Sequence, residues 1–502
     1  MDKRRNQYFD LLSLGMIVFI AILSLIRFNY LPQYIDAWWH LSCANGYIES
    51  GGWVGWSWWD YAPWGRPQVY PPFYHFLLVF LKKAGLSSLN AVRVTEIVIL
   101  PFFFLVMWYV LRKIISPFFS FINLLTLSSF FSFYSSISCN VPASLGLIFG
   151  FFCWYFLKKK RWVSCALFLI LCFYTHTGVF WIFFISLLFL LGLASYRSEL
   201  IRIISGVVLG ILPLLIHQLK YASYLRFSFT KEIYFLHFSI FLIGIGLFSL
   251  FINVRKDFGT LLFLGYLVGS IIVFVKYPFR FFSAQGAIGL ALFCSLVCER
   301  FLNLIKGNLT KRIFIFTLAF FLFFSHATVD LEEGKPQINF FNSTYYNFLT
   351  GKPYALLEAR FLFWPQYYYP IVDVIKKNTG PFQIISSNLK ITAQIFSSLT
   401  QRPTSNSLLW EVKTNLPSEV IYKFAKVIIW IKPPSKKLNF LKNRYKWKNI
   451  YENDIAYVFK NPYVKLAVSP TPARLPFKSI YFFLSIFFFI FILDNVKMKK
   501  KL

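Results

Sequence analysis

The first side chains suited to acid–base or metal chemistry follow the first apolar run. Asp36, His40, Cys43 and Tyr47 recur at spacings that place them on one face of a helix. Asp36 then stands just beyond the first membrane helix, with His40 one turn further on. Such a carboxylate can take a proton from an incoming hydroxyl, or hold a divalent cation or a cationic side chain. The spacing fits equally a headgroup-level helix whose Asp36 only caps its N-terminus.

A second set of candidate residues lies in Lys276-Tyr-Pro-Phe-Arg-Phe-Phe282, which precedes a later apolar run. A lipid-phosphate ligand needs a fixed cation that holds the phosphate and stabilises it as a leaving group. Arg280 would lie where such a headgroup meets the bilayer, with Tyr277 beside it. The alternative is an interfacial anchor that extends its charge to water, and Lys276 is predicted to be one.

The remaining candidates are isolated polar residues near predicted outer ends of helices. His176, in Tyr174-Thr-His-Thr-Gly178, interrupts apolar sequence, which is costly in a membrane and often functional. It could bind phosphate or line a cavity, or simply sit at a wet helix end. Glu49 and Asp60 are further candidates in the same loop as Asp36. Three other histidines have no partner motif and are predicted to be structural: His217, His237 and His326.

Three segments of this loop resemble the first external loop of the GT-C glycosyltransferase superfamily. They are Asp36-Ala-Trp-Trp-His-Leu41, Tyr61-Ala-Pro-Trp-Gly-Arg-Pro67 and Tyr70-Pro-Pro-Phe-Tyr-His75. The superfamily includes oligosaccharyltransferase catalytic subunits, protein O-mannosyltransferases and aminoarabinose lipid transferases. The resemblance implies a membrane core of roughly a dozen helices, an external domain and a polyprenyl-phosphate-linked sugar donor.

The resemblance also implies roles for individual residues. Asp36 matches the acidic residue that serves as catalytic base or as metal or acceptor ligand, and His40 follows the aromatic pair. Tyr70 and His75 match the segment that closes the loop and are candidates for substrate binding. No second Asp-x-Asp or Glu-rich pair is found in a later outer loop. A divalent metal (Mg or Mn) at Asp36 is therefore left open.

The composition is that of a membrane protein. The chain is 57% hydrophobic and only 14% charged, whereas soluble domains are about 45–50% apolar and about 25% charged. The net charge of +32 is concentrated in short clusters between apolar runs, which is an orientation signal and not a nucleic-acid module. The seven cysteines contain no CxxC pair and indicate neither a disulfide framework nor a metal site.

Apolar runs of the length that a bilayer selects predict about twelve membrane-spanning helices. The stretch 72–81 is too short to cross and is predicted to be interfacial or re-entrant. With the N-terminus inside, the basic clusters between spans fall in the cytoplasm, as does the C-terminus. The predicted spans are residues 9–27, 94–111, 118–135, 141–157, 162–174, 178–196, 203–217, 233–254, 258–275, 281–299, 312–326 and 477–493.

The predicted fold is an all-α polytopic membrane protein, GT-C-like, with a small extracytoplasmic α/β domain. Residues 1–326 would form the membrane domain, with a large first external loop at 29–93. Residues 327–476 would form the external domain, with strands at 427–431 and 455–459. Residues 477–502 would supply a last membrane helix and a basic cytoplasmic tail.

The predicted function is glycosyl transfer, which requires these candidate residues to meet at one surface of the membrane. The sugar would pass from a polyprenyl-phosphate carrier to a glycan, lipid or protein acceptor outside the cytoplasmic membrane, with inversion. The alternatives are a transporter or lipid flippase and a non-catalytic membrane scaffold. Transport predicts ionisable residues near the bilayer midplane and broken helices in corresponding halves of the chain.

Overall fold

The computed structural model describes residues 3–32, 34–225, 235–251, 257–332, 335–350, 365–407 and 420–499, and most of them are helical. The helices are α1 (Lys3–Ile26), α2 (Asp36–Ser50), α3 (Phe73–Lys83), α4 (Ser88–Ile114), α5 (Pro117–Ser129), α6 (Phe131–Cys139), α7 (Val141–Lys158), α8 (Trp162–Thr175), α9 (Thr177–Phe189), α10 (Ala194–Lys220), α11 (Ile240–Phe251), α12 (Phe258–Phe274), α13 (Pro278–Ser283), α14 (Ala287–Leu304), α15 (Asn308–Phe324), α16 (Thr344–Leu349), α17 (Pro365–Asn378), α18 (Lys390–Thr400), α19 (Val420–Lys423), α20 (Lys436–Arg444) and α21 (Phe477–Lys499).

Ten apolar segments among the described helices carry the membrane character of the chain. By length and composition, six are long and apolar enough to cross a bilayer: they lie within α1, α4, α7, α10, the α13–α14 segment and α21. Four shorter apolar stretches correspond to α5, α8, α9 with the turn after it, and α12. The apolar faces of α1, α15 and α21 are exposed in the protein itself, as expected of surfaces that contact lipid. The twelve-span count stays a prediction.

Two of the predicted membrane spans are wrong, because neither forms one continuous helix. The predicted span 118–135 is divided into α5 and α6, because Phe130 adopts an extended conformation and forms a β-bridge with Ser343. The predicted span 233–254 begins as strand β4 (Phe235–Ser239) before α11 starts. In both cases a distant segment supplies backbone partners, which apolar sequence alone does not reveal. The short stretch 72–81 forms α3, a helix of 11 residues.

The strands form four small sheets. Strand β1 (Gly52–Trp53) pairs with β11 (Leu475–Pro476), and β2 (Trp56–Ser57) pairs with β3 (Arg66–Pro67). Strand β4 pairs with β5 (Thr328–Glu332), which pairs with β6 (Lys335–Asn339). The largest sheet has the order β7-β8-β10-β9, in which only β7 and β8 are parallel. Its strands are β7 (Ile385–Ser387), β8 (Val427–Ile431), β9 (Lys448–Glu452) and β10 (Ala456–Lys460).

This sheet confirms the two strands that the sequence predicted, with the second shifted by one residue. Strand β8 is rich in β-branched residues and is buried on both faces from Val427 to Trp430. The burial arises because helices α18 and α20 pack over the sheet. The backbone of Lys426 donates to Ile384 O, which adds a bond beside the parallel pair. The division of the chain into separate membrane and external domains stays a prediction.

The first external loop and the C-terminal sheet region are built into one core. Thr404 N donates to Trp59 O at 2.8 Å, and Ala62 N donates to Thr404 O at 2.9 Å. Helix α18 packs on α2, where Gln394 Nε2 donates to Ser42 Oγ at 2.7 Å. The position of α2 therefore depends on residues more than 300 positions further along the chain.

Helix α2 also packs closely on the loop that follows it, and this contact can be tested. A Cβ added to Gly46 would lie 2.0 Å from Cε3 of Trp59, whereas one added to Gly15 of α1 meets nothing within 4 Å. We expect Gly46→Ala to lower the free energy of unfolding by about 1–3 kcal/mol, because overpacking forces the indole or the helix to move. Thermal unfolding followed by tryptophan fluorescence in detergent measures the change, with Gly15→Ala as the matched control. Equal melting temperatures for the two variants would contradict the close contact.

Candidate functional site

Asp36 is the first residue of α2 and its side chain is exposed, whereas the helix is buried from Ala37 to Tyr47. The predicted helix is thus confirmed and extended to Ser50. No side chain of the preceding residue caps it, and Asp36 places a carboxylate in the first turn, where the helix dipole is favourable to an acidic residue. Gly51, with φ of 77°, ends the helix in a left-handed conformation.

His40 lies one turn beyond Asp36 and forms a hydrogen bond with a second histidine. Its Nδ1 lies 2.9 Å from Nε2 of His75 in α3. Burial lowers the pKa of His75 to about 3. Burial also lowers the pKa of His40 well below its ordinary value, and the nearby His75 and His176 lower it further. Both rings are therefore neutral at physiological pH, and one donates its single N–H to the other.

Aromatic rings enclose this histidine pair. The Tyr70 ring lies between this pair and His176. Its centroid is 5.0 Å from the ring centroid of His40, 5.7 Å from that of His75 and 6.5 Å from that of His176. Trp39 completes the group, at 5.3 Å from Tyr70. Edge-to-face packing of this kind fixes ring orientations, so the imidazoles cannot turn freely.

His176 joins α8 to α9 and lies near Arg280. The backbone N–H of Val179 donates to His176 Nδ1 at 3.2 Å, so the proton of the neutral ring is on Nε2. Burial and the positive charge of Arg280 lower the pKa of His176 to about 3. Arg280 is half-buried in α13, with its guanidinium carbon 5.5 Å from the Tyr277 ring centroid and 5.7 Å from that of Phe279. The two rings restrain the cation.

One hydrogen bond and two electrostatic effects link residues from four separate parts of the sequence into one row. His40 and His75 share a hydrogen bond, His176 is close enough to lower the pKa of His40, and Arg280 is close enough to lower the pKa of His176. We call this set the His40–Arg280 row.

A second group of charged residues acts on the thiol of Cys139. Burial raises the pKa of the Cys139 thiol to about 12, the guanidinium of Arg27 opposes this shift, and the carboxylates of Glu96 and Asp36 add to it. All three charged groups are therefore within electrostatic range of one thiol. Sequence reasoning missed Arg27 and Glu96. The sequence did contain one sign of this group, because Glu96 is an ionisable residue inside a predicted membrane span.

The end of α10 positions the part of the loop that carries Tyr70. His217 Nε2 donates to Gln68 O at 2.9 Å, and Gln218 Nε2 donates to Val69 O at 3.0 Å. Gln68 in turn donates from Nε2 to Tyr47 OH at 3.2 Å. His326 lies elsewhere, bonded to Ser129 and Ser239 through its two ring nitrogens. The side chain of His237 lies outside the described residues.

Asp60 and Glu49 lie outside the row. The Asp60 carboxylate is fully buried and pairs with Arg66 Nη2 at 2.9 Å. It also accepts a hydrogen bond from Trp39 Nε1 at 3.0 Å. Glu49 is exposed near the other end of α2 and borders a shallow cleft that Arg402 also lines. Within the described residues, no group of three or more His, Cys, Asp or Glu side chains could hold a metal ion.

The sequence matches no protein-family model and no curated protein. Solved structures match it over most of its length. The archaeal oligosaccharyltransferase AglB from Archaeoglobus fulgidus, in complex with an inhibitory peptide and a dolichol-phosphate, superposes with a TM-score of 0.56 at 11% identity. The match covers 90% of this chain and 74% of AglB.

The transferase ArnT from Cupriavidus metallidurans, bound to undecaprenyl phosphate, gives a TM-score of 0.54 at 10% identity. This match covers 90% of this chain and 98% of ArnT. A structure of the Archaeoglobus fulgidus oligosaccharyltransferase with Zn and sulfate gives 0.53 at 10% identity over 89% of this chain and 73% of that one. The chain is therefore a multi-pass membrane protein with the GT-C fold, and the resemblance read from its first external loop is confirmed at the level of fold.

The buried ion pair predicts that Asp60 acts on stability. We expect Asp60→Ala to lower the free energy of unfolding by about 3–5 kcal/mol, because Arg66 would remain buried with an uncompensated charge. Glu452→Ala is the matched control, since it breaks the exposed pair between Lys432 and Glu452 and should cost less than about 1 kcal/mol. Melting in detergent distinguishes the two variants. A stable Asp60→Ala protein would exclude a structural role for this pair.

Proposed function

We propose that the protein is a glycosyltransferase that moves a sugar from a polyprenyl-phosphate carrier to an acceptor outside the cytoplasmic membrane. The observation that carries the proposal is the His40–Arg280 row, which ends at a restrained guanidinium and starts one helical turn after the exposed Asp36. The GT-C fold supports it, and so do the dolichol-phosphate and undecaprenyl phosphate named in the AglB and ArnT complexes.

In this proposal Arg280 and His176 bind the phosphate of the donor. A guanidinium gives charge-assisted hydrogen bonds to phosphate oxygens, and its planar fork suits two of them. The Nε2–H of His176 is a neutral donor close to that cation. Both groups stabilise the negative charge that accumulates on the phosphate as the sugar leaves, and they are in place before the reaction.

Asp36 acts at the other end of the row on the acceptor. The acceptor hydroxyl oxygen attacks the anomeric carbon while the bond from that carbon to the phosphate oxygen breaks. The hydroxyl proton passes to Asp36, and the electron pair leaves with the polyprenyl phosphate. A single displacement of this kind inverts the anomeric configuration.

The histidine pair then positions the reacting groups. Because His40 and His75 are neutral, they add no positive charge that would draw the phosphate away from Arg280. His40, one turn from Asp36, can donate or accept one hydrogen bond with a sugar hydroxyl. Tyr70 and Tyr277 supply the aromatic walls of the site. If a divalent cation is required, Asp36 is the residue that would bind it, and the cation would offset phosphate charge.

The function is tested first at Asp36. With a defined polyprenyl-phosphate sugar and purified protein, we expect Asp36→Asn to lower kcat by about 10²–10⁴-fold, because the amide cannot accept the proton. The melting temperature should stay within about 2 °C of wild type, since Asp36 is exposed. An unchanged kcat in the Asp36→Asn variant would contradict the catalytic role of Asp36. Transport of the lipid without sugar transfer in the wild-type protein would favour the flippase alternative.

The donor site is tested at Arg280. We expect Arg280→Gln to weaken binding of polyprenyl phosphate by about 10–100-fold, because the fork that holds two phosphate oxygens is lost. Lys276→Gln removes a neighbouring cation that was predicted to be an interfacial anchor, and it should change binding less than about threefold. Tritiated lipid phosphate and protein in nanodiscs provide the measurement. Equal losses of affinity in the two variants would indicate that positive charge attracts the phosphate nonspecifically, without a specific binding site at Arg280.

A further inference from the structure

The hydrogen bond between His40 and His75 can be made with the shared proton on either ring. His40 Nδ1 and His75 Nε2 lie 2.9 Å apart, so one of these two nitrogens carries the hydrogen and the other accepts it. A neutral imidazole has a single N–H, and the bond made at one nitrogen decides the state of the other. Two arrangements follow: both rings carry their proton on Nε2, or both carry it on Nδ1.

The second nitrogen of His75 distinguishes these arrangements. His75 is fully buried, and its Nδ1 has no hydrogen-bond partner among the described residues. With both protons on Nδ1, this atom would be a buried N–H donor without an acceptor, and orphaned N–H groups are rarer in proteins than unsatisfied acceptors. With both protons on Nε2, it is an unprotonated nitrogen packed among the rings of Trp39 and Tyr47, whose centroids each lie 5.5 Å from that of His75. The arrangement with both protons on Nε2 is therefore favoured.

The two rings of the pair differ in what they can reach. His40 keeps 4% of its surface exposed, whereas His75 keeps none. His40 is therefore the ring that can meet a ligand, and His75 can act only through it. The Tyr70 ring packs beside both His40 and His176, and His176 also has its proton on Nε2, because its Nδ1 accepts from Val179 N–H at 3.2 Å.

We propose that His75 is a positioning residue that fixes the proton of His40 on Nε2, so that His40 donates one hydrogen bond to an oxygen of the lipid-linked sugar phosphate. The inference rests on the proposed function, because it defines the part that His40 takes in that reaction. Since Nδ1 of His40 already accepts from His75, the ring has no free lone pair for the proton of the acceptor hydroxyl, and that step belongs to Asp36. The row then offers hydrogen-bond donors to a ligand rich in acceptor oxygens.

Nitrogen NMR of full-length protein in nanodiscs, with isotope-labelled histidine, reads the proton positions directly. The signals of His40 are those that the His40→Gln variant lacks. We expect His40 to show a protonated Nε2 and an unprotonated Nδ1, and His75→Phe to abolish this fixed state because the donor is lost. His326→Gln, at a buried histidine bonded to Ser129 and Ser239, is the matched control and should leave the His40 signals unchanged. A wild-type His40 with its proton on Nδ1 would overturn the proposal.

Two variants of His75 separate positioning from packing. His75→Gln keeps an N–H donor near the place of Nε2, whereas His75→Phe keeps an aromatic ring and loses the donor. With a defined polyprenyl-phosphate sugar, we expect kcat to fall about tenfold in His75→Phe and to stay within about threefold of wild type in His75→Gln. A merely structural role predicts the opposite order, because a buried amide is less favourable than a phenyl ring among aromatic neighbours.

A pair of variants at His40 tests which nitrogen meets the ligand. The side-chain N–H of Gln lies near the place of Nε2, and that of Asn lies near the place of Nδ1. We expect His40→Gln to keep a kcat about tenfold higher than that of His40→Asn, and the reverse order would contradict donation from Nε2. Binding of sugar-free polyprenyl phosphate to His40→Asn then locates the oxygen. Unchanged affinity assigns the hydrogen bond to the sugar, and a loss of affinity assigns it to the phosphate.

The proton positions separate this inference from the proposed function, because the NMR measurement needs no turnover. If wild-type protein transfers sugar but His40 carries its proton on Nδ1, the positioning role is wrong and the function stands. If His40 carries its proton on Nε2 but no polyprenyl-phosphate sugar is turned over, the function is wrong and the assigned proton position stands. With both correct, His75→Phe lowers kcat and releases the His40 proton together, and His75→Gln retains both.

Discussion

The buried ion pair between Asp60 and Arg66 is the interaction on which the packing of α2 and of the loop after it depends. Both side chains are at most 1% exposed, and they lie 2.9 Å apart. Removing two charges from water is costly, and the cost is offset only where further hydrogen bonds complete the site. Here Trp39 of α2 donates to Asp60, and Arg66 donates to Ser407 at 3.1 Å. One small network therefore fixes α2, the first external loop and the C-terminal region relative to one another.

This arrangement explains how a loop with few regular elements can hold a reactive site. Loops of this length are ordinarily mobile, but this one is bonded on three sides. The end of α10 holds its backbone at Gln68 and Val69. Strand β11 pairs with it at Gly52 and Trp53. Helix α18 covers α2. The neutral imidazoles of the row are consequently buried among well-fixed neighbours. Desolvation keeps these imidazoles uncharged, so Arg280 is the cation at the end of the row.

Asp36 has a different environment from the rest of the row, and this difference suits its proposed work. It is exposed in the first turn of a helix, where the helix dipole is favourable to an acidic residue. The histidines behind it are buried and neutral. This contrast between an exposed carboxylate and buried, uncharged imidazoles fits the proposed division of work between an acceptor base and groups that position the substrates.

The sequence by itself determined the membrane class, the helix from Asp36, strands β8 and β10, and the resemblance of the first loop to the GT-C superfamily. These follow from local periodicity, apolar length and short motifs, all of which act between residues close in the chain. It also selected Asp36, His40, His75, His176 and Arg280 as candidates, but it could not place them together. Only the tertiary structure decided that Asp60 lies in a buried ion pair, that Phe130 interrupts a predicted span, and that Arg27 and Glu96 line one cleft. Each of these depends on partners far away in the sequence, such as Ser407 and Ser343, and no local pattern encodes which distant group will satisfy a buried charge or a free backbone.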